Sequence, residues 1–184
     1  MKTLIFNGSP RKNGDTVAMI RALRESLPGE VKVIDAYRAN IRPCVDCRRC
    51  WTQVGCVIDD EMQQIYRDIA EADCIVIASP VYFSCLTGPL LSLMSRLQVL
   101  YTARRFHRVR LIEKAKVGAI LLAGGGDGSP ARAEDTAQGL LRCMRATHME
   151  TVVTHKTDTL PAAEDAELLA AVRELGEKLA AAHE

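Results

Sequence analysis

"TLIFNGSPRKNGDTVAMIRALRESL", residues 3–27, runs a strand, a loop and a helix together. The apolar run "TLIF" (3–6) is too short for a helix and stops at Asn7-Gly8, which predicts a buried strand. Val17, Ile20, Leu23 and Leu27 recur at helical spacing, and Pro28-Gly29 follows. Residues 16–27 therefore predict an amphipathic helix with a defined stop. A strand that passes through a glycine-containing turn straight into a helix is the building unit of a parallel sheet.

The unit recurs along the chain. "VKVIDAY" (31–37), "CIVIA" (74–78), "VGAILLAG" (117–124) and "ETVVTH" (150–155) predict four more strands. Helices are predicted over 59–72, where Met62, Ile65, Ile69 and Ala72 share a face, and over 88–100, about 131–146 and 163–182. Apolar strands without alternation indicate a parallel sheet covered on both faces. Five strand–helix units predict one doubly wound α/β domain over residues 1–184, with strand order 2-1-3-4-5. Two stretches stand outside the repeat: a cysteine-rich loop at 43–57 and a long connection at 101–116.

The bulk numbers exclude more than they assign. The chain has 184 residues, 48% of them hydrophobic, and a net charge of +1. Such balance predicts no broad surface for nucleic acid or membrane. Apolar runs such as "AILLA" fall far below membrane-spanning length, and the first apolar run is too short for a signal peptide. A soluble cytoplasmic protein is the expectation. In a reducing compartment, clustered cysteines bind metal or do redox chemistry more often than they form structural disulfides.

In folds of this kind, ligands sit beyond the carboxyl ends of the strands, so the loops there carry function. The first is "NGSPRKNGDT" (7–16). Gly8 and Gly14 allow tight turning, Ser9, Asn13 and Thr16 offer polar donors, and Arg11 and Lys12 offer charge. The helix that follows presents free N–H groups and a positive dipole end. This predicts an anion cradle. It is not the P-loop motif, which has four residues between its glycines and then Lys-Ser/Thr, whereas five separate Gly8 from Gly14 here.

"CVDCRRCWTQVGC" (44–56) holds four of the seven cysteines. Three chemistries compete for Cys44, Cys47, Cys50 and Cys56. Zinc knuckles are normally separated by a longer stretch, and these overlap at Cys47. Bare redox-active thiols are a second reading. Consecutive Cys-x-x-Cys-x-x-Cys runs suit a cubane iron–sulfur cluster, with Cys56 as its fourth ligand. Trp51 reads either as a shield for such a site or as a plug against the sheet. Cys74 and Cys143 read as small core residues. Cys85 has no visible base beside it and is assigned no catalysis, and no histidine shows metal spacing.

Three segments together resemble a known family. "GSPRKNGDT" is similar to the phosphate loop of the flavodoxin-like NAD(P)H-dependent FMN reductases, and "SPVYFSCLTG" (79–88) resembles their third-strand loop. "PCVDCRRCWTQVGCVIDDEMQQIYRDIAEAD" resembles the cysteine motif and following helix of the iron–sulfur flavoprotein branch. The resemblance runs from residue 1 to about residue 100. It implies a flavodoxin-like fold that binds FMN. Ser9, Arg11, Asn13, Thr16 and Val17 would surround the phosphate. Pro80, Val81, Tyr82 and Phe83 would line the ring, and Gly124, Gly125 and Gly126 would approach from the other side. Cys44, Cys47, Cys50 and Cys56 would hold a [4Fe–4S] cluster. Two departures are visible: Asp15 stands where the family often has asparagine, and "LLSLMSR" (90–96) keeps Arg96 but lacks the usual lysine and aspartate.

The implied activity is NAD(P)H-dependent reduction of a flavin or quinone-type acceptor, or electron transfer through cluster and flavin. No side chain need act as general acid or base. Partners would be a small-molecule acceptor or a ferredoxin-like protein, and a homo-oligomer (dimer or tetramer) is expected. The basic run Arg104, Arg105, Arg108 and Arg110 reads as a site for NAD(P)H phosphates, as a dock for an acidic carrier, or as a solvated loop. Alternatively, Tyr101 or Phe106 beside the arginines would line a neighbouring subunit's flavin mouth. A different class also accommodates these residues: a regulatory protein that senses zinc or redox state through its cysteines.

Overall fold

Residues 1–183 are described by a computed structural model. The elements run β1 (Lys2–Asn7), α1 (Asp15–Ser26), β2 (Glu30–Asp35), α2 (Arg49–Thr52), α3 (Met62–Glu71), β3 (Cys74–Pro80), α4 (Gly88–Met94), α5 (Gln98–Phe106), β4 (Lys116–Ala123), α6 (Ala131–Cys143), β5 (Ala146–Thr154) and α7 (Ala166–Ala181). All strand pairs are parallel, in the order β2-β1-β3-β4-β5. This is the expected flavodoxin-like arrangement.

Side-chain alternation splits the core into two layers. Leu4, Phe6, Ile75, Ile77, Ile120 and Leu122 pack on one side with residues of α3, α4 and α6. Ile5, Cys74, Val76, Ala119 and Leu121 pack on the other with α1 and α7. Both faces being covered explains why β1, β3 and β4 are apolar throughout. Cys74 is fully buried, and desolvation pushes its thiol up to about 12. Strand order reverses between β1 and β3, which opens a crevice at their carboxyl ends. Among the described residues no helix is long and apolar enough to cross a membrane.

Several boundaries differ from expectation, each for a local reason. The helix predicted over 88–100 is α4 and α5, joined by a tight turn at Ser95–Leu97 and extended to Phe106. The connection is therefore shorter than 101–116. α3 starts at Met62 rather than 59, because Asp60 Oδ1 accepts from the Met62 N–H at 3.1 Å. α7 starts at Ala166 because Asp165 caps it, accepting from Leu168 N–H at 3.0 Å. β5 begins at Ala146, not 150, and its polar first half pairs with β4 across a bulge at Gly118/Ala119. The cysteine loop, expected to be irregular, contains the single turn α2.

Candidate functional site

The first turn is built around Gly8. Its N–H donates to the Ala78 carbonyl at 2.7 Å, and its carbonyl accepts from Thr87 Oγ1 at 2.9 Å. A Cβ at this position would lie 2.9 Å from each of Leu90, Ser79 and Thr87 side-chain atoms. The backbone thus passes where only glycine fits, and it joins β1 to β3 and α4. Asn7 Oδ1 accepts from Ser9 N–H at 2.9 Å and sets the turn. Val81 N–H donates to the Ala123 carbonyl at 2.8 Å, bringing the third loop to the end of β4.

These constraints leave a cavity of about 140 Å³ at the carboxyl edge. Ser9, Arg11, Thr16, Pro80, Val81, Tyr82 and Gly125 line it together. The α1 N-terminus has Gly14 as its cap and no side-chain acceptor on its first N–H groups, so these donors stay free. Asp15 also lines the cavity: its Oδ1 accepts from Ala162 N–H at 3.0 Å, fastening α1 to the segment before α7, and its Oδ2 lies 4.0 Å from Arg11 Nη1. The carboxylate therefore neither caps its own helix nor occupies the free donors.

The remaining predicted residues lie elsewhere. Asn13 is exposed and accepts from Arg21 Nη2 at 2.6 Å. Val17 and Gly124 do not line the cavity, and Gly126 faces open space. Phe83 is 100% exposed, at the tip of a hairpin in which Tyr82 and Cys85 exchange both backbone hydrogen bonds at 3.0 Å. Phe83 and Ser84 carry φ of +53° and +63°, a primed turn that normally takes Asn-Gly. A bulky residue held there is strained.

Sequence reading missed Thr157 and Asp158, which also line the cavity. A Cβ on Gly125 would sit 2.2 Å from Asp158 Oδ1, so the bare backbone there makes room for that carboxylate. The signal was available: "TDTLP" follows the fifth strand at the same sheet edge.

All four loop cysteines line one separate cavity of about 370 Å³, against Val99, Thr102 and Arg96. Among the described residues no three His, Cys, Asp or Glu side chains converge tightly enough for a single metal ion. The loop is held mostly through its backbone. Cys44 N–H donates to Ser95 Oγ at 2.9 Å, Gln63 Nε2 to the Cys56 carbonyl at 2.9 Å, and His107 Nε2 to the Cys50 carbonyl at 3.0 Å. Trp51 is not the plug against the sheet. It is half exposed, stacks on Phe106 with centroids 4.8 Å apart, and has the Arg48 guanidinium 5.0 Å above its ring.

Arg96 locks both ends of this loop. Its guanidinium is buried and donates from Nη1 to Asp60 Oδ2 at 2.7 Å and to the Arg42 carbonyl at 2.8 Å, and from Nη2 to the Ile58 carbonyl at 3.3 Å. Burial pushes the Asp60 carboxyl up, but hydrogen bonds from Arg96, Arg42 N–H and Met62 N–H outweigh it and hold the group below the ordinary carboxylate range. Tyr66 donates to the Arg96 carbonyl at 2.9 Å, and burial raises its phenol so that it stays neutral. Arg96 is thus structural here.

The basic run does not fold back to the first turn. None of its arginines lines the 140 Å³ cavity. Arg104 and Arg110 line another cavity, together with Cys143, which is partly buried and packs against the edge of the core.

The sequence model of the NADPH-dependent FMN reductase family matches residues 1–159. An iron-sulfur flavoprotein of Methanocaldococcus jannaschii is 30% identical over 127 residues, covering 67% of this chain and 62% of that protein. One of Methanosarcina thermophila is 34% identical over 128 residues, covering 68% and 64%. The chain thus spans somewhat less than two thirds of these relatives. A solved flavone reductase superposes with a TM-score of 0.73 at 21% identity, covering all of this chain and 63% of that one. An NAD(P)H:quinone oxidoreductase from Methanothermobacter marburgensis gives 0.72 at 18% identity, with 97% and 96% covered. At such identities the structural likeness speaks for the fold alone.

Proposed function

The chain belongs to the NADPH-dependent FMN reductase family, and on that premise we propose that it works as an iron–sulfur flavoprotein. In this reading it takes electrons from NAD(P)H or a ferredoxin-like protein and delivers them to a flavin or quinone-type acceptor. The observation that carries the reading is the cavity joining Ser9, Arg11 and Thr16 to Pro80, Val81 and Tyr82 at the strand-order reversal.

The residues fit FMN in two parts. The enclosed space is well under the roughly 300 Å³ at which ligand pockets begin, so it suits a phosphate and its linker. Free N–H groups at the start of α1, Arg11 and the Ser9 and Thr16 hydroxyls would hold that phosphate. The ring would rest on the open mouth at Pro80, Val81 and Tyr82, with Gly125 facing it. Asp158, which stands against Gly125, would face the same mouth, where its charge disfavours an anion and favours a bound hydrogen-bond donor. Phe83, strained and fully exposed, supports assembly as a dimer or tetramer whose partner covers it.

Four cysteines around one cavity without a single-ion convergence suit a [4Fe–4S] cluster better than zinc. A cubane gives each thiolate its own iron, whereas zinc needs all four at one point. Arg49 lines the same cavity and would offset part of the negative charge, while Arg48 and Arg96 are already paired with Asp46 and Asp60. When bound, FMN supplies hydride and single-electron chemistry, and the cluster single-electron transfer. The side chains bind, orient and shield, and none acts as general acid or base.

Titration of flavin-free protein with FMN, followed by quenching of flavin fluorescence, should reach one FMN per chain. Gly8→Ala should weaken it about tenfold or more, because the added methyl has no room without moving the turn. A correctly folded full-length protein that takes up no FMN would refute the reading.

A further inference from the structure

A cavity of about 450 Å³ opens between α5, α6 and the 107–115 connection. It lies at the amino end of the sheet: Arg145, on its wall, leads into β5 and accepts from Lys116 N–H, at the start of β4, at 3.0 Å. The phosphate cradle is at the opposite edge, and the two cavities share no residue.

Four arginines line it: Arg104, Arg110, Arg142 and Arg145. No Asp or Glu does. Among the described residues none of the four forms an ion pair within 4.0 Å. Helix ends account for part of this. Arg104 and Arg142 lie in the last turns of α5 and α6, where cations are favoured. Two helix ends supply only about one negative charge in total, against four positive ones. A large positive surplus is left around a concave space.

Arg145 adds a second point. It follows the C-cap of α6 with φ +60°, a position that glycine takes without strain. An arginine stands there instead, with its side chain on the cavity wall. The floor of the cavity is apolar, with Leu100 and Ile112. Its size falls within the range of small-molecule sites, which favours a compact ligand over the flat face of a macromolecule. Tyr101 lines both this cavity and that of the cysteines, so an occupant would sit beside the cluster loop.

We propose that this cavity binds a small organic anion with at least two negative charges, a phosphate ester or a polycarboxylate, its charged end among Arg104, Arg110, Arg142 and Arg145 and its body on Leu100 and Ile112. Guanidinium forks match both oxyanion types in bidentate fashion. The site is distinct from the flavin pocket and does not depend on the flavin reading.

Calorimetric titration of the full chain in excess FMN, which fills any phosphate cradle, tests it with pyrophosphate and with citrate. One anion per chain is expected, weakening steeply with salt. Arg110→Gln and Arg142→Gln should each reduce affinity about tenfold, and the pair together about a hundredfold. Arg173→Gln, which breaks only an exposed pair with Glu25, should change nothing. Tighter pyrophosphate marks a phosphate ester, and tighter citrate a polycarboxylate. The proposal fails if neither anion binds. It also fails if binding survives both arginine variants, or is removed by Arg11→Gln instead. Both variants alter exposed side chains, and an unchanged circular dichroism spectrum separates loss of the site from loss of the fold.

Discussion

Arg96→Met is expected to destabilise the fold by about 3–5 kcal/mol and to lower the thermal midpoint by roughly 10 °C. The guanidinium is 1% exposed and its partner Asp60 is 5% exposed, so removing the cation leaves a carboxylate with no water to replace it. The Arg42 and Ile58 carbonyls lose their donor at the same time. The sign with pH follows. In the native chain the Asp60 carboxyl lies below its ordinary value. Its stabilisation is therefore complete above the ordinary carboxylate range and lost as pH falls through the depressed value. In the variant burial prevails and pushes Asp60 up. The gap between wild type and variant should then shrink as pH falls through the ordinary carboxylate range. Chemical denaturation at several pH values measures this. A gap that is small at neutral pH, or constant with pH, would show that Arg96 does not hold Asp60. Arg96→Met with Asp60→Asn should recover much of the loss, since deleting both charges costs less than orphaning one.

The same residue shows where sequence reading stops. Strand order was legible because apolar runs in β1, β3 and β4 have one physical explanation, burial on both faces. The first turn was legible because glycine, serine and basic residues between a strand and a helix have few other uses. Arg96 was visible only as a retained letter of a family pattern. Its role depends on Asp60, Arg42 and Ile58, which are between 36 and 54 positions away along the chain. The extension of α5 was hidden for a related reason. "YTARRF" (101–106) reads as polar, yet Thr102 and Ala103 are buried and Phe106 stacks on Trp51. Asp158 carries no motif of its own and reaches the site only because the loop after β5 ends at the same edge as the "GGG" after β4. The arginine cavity could not be foreseen either, since Arg142 on α6 and Arg145 just beyond its C-cap join the basic run only in three dimensions.

Cys47→Ser is expected to abolish bound iron while leaving FMN affinity within about twofold. A serine hydroxyl stays protonated near neutrality and is a poor substitute for a thiolate ligand. The rest of the loop has no reason to collapse. Its anchors are the Cys44 N–H on Ser95, the Cys50 carbonyl on His107, the Cys56 carbonyl on Gln63 and the Arg96 lock, and none uses the Cys47 sulfur. The flavin-side residues lie on other loops, and no residue lines both cavities. Iron and sulfide analysis of anaerobically purified protein, with the visible spectrum before and after dithionite, reads the first half. FMN titration of the same sample reads the second. Iron retained at wild-type stoichiometry would remove Cys47 from the ligand set. Zinc in place of iron in the wild type would convert the loop to a structural site, despite the poor convergence of its cysteines on one point. Loss of FMN together with iron would make the loop part of the flavin site. A neighbouring subunit would then have to bring it there, because within one chain the two cavities stay separate.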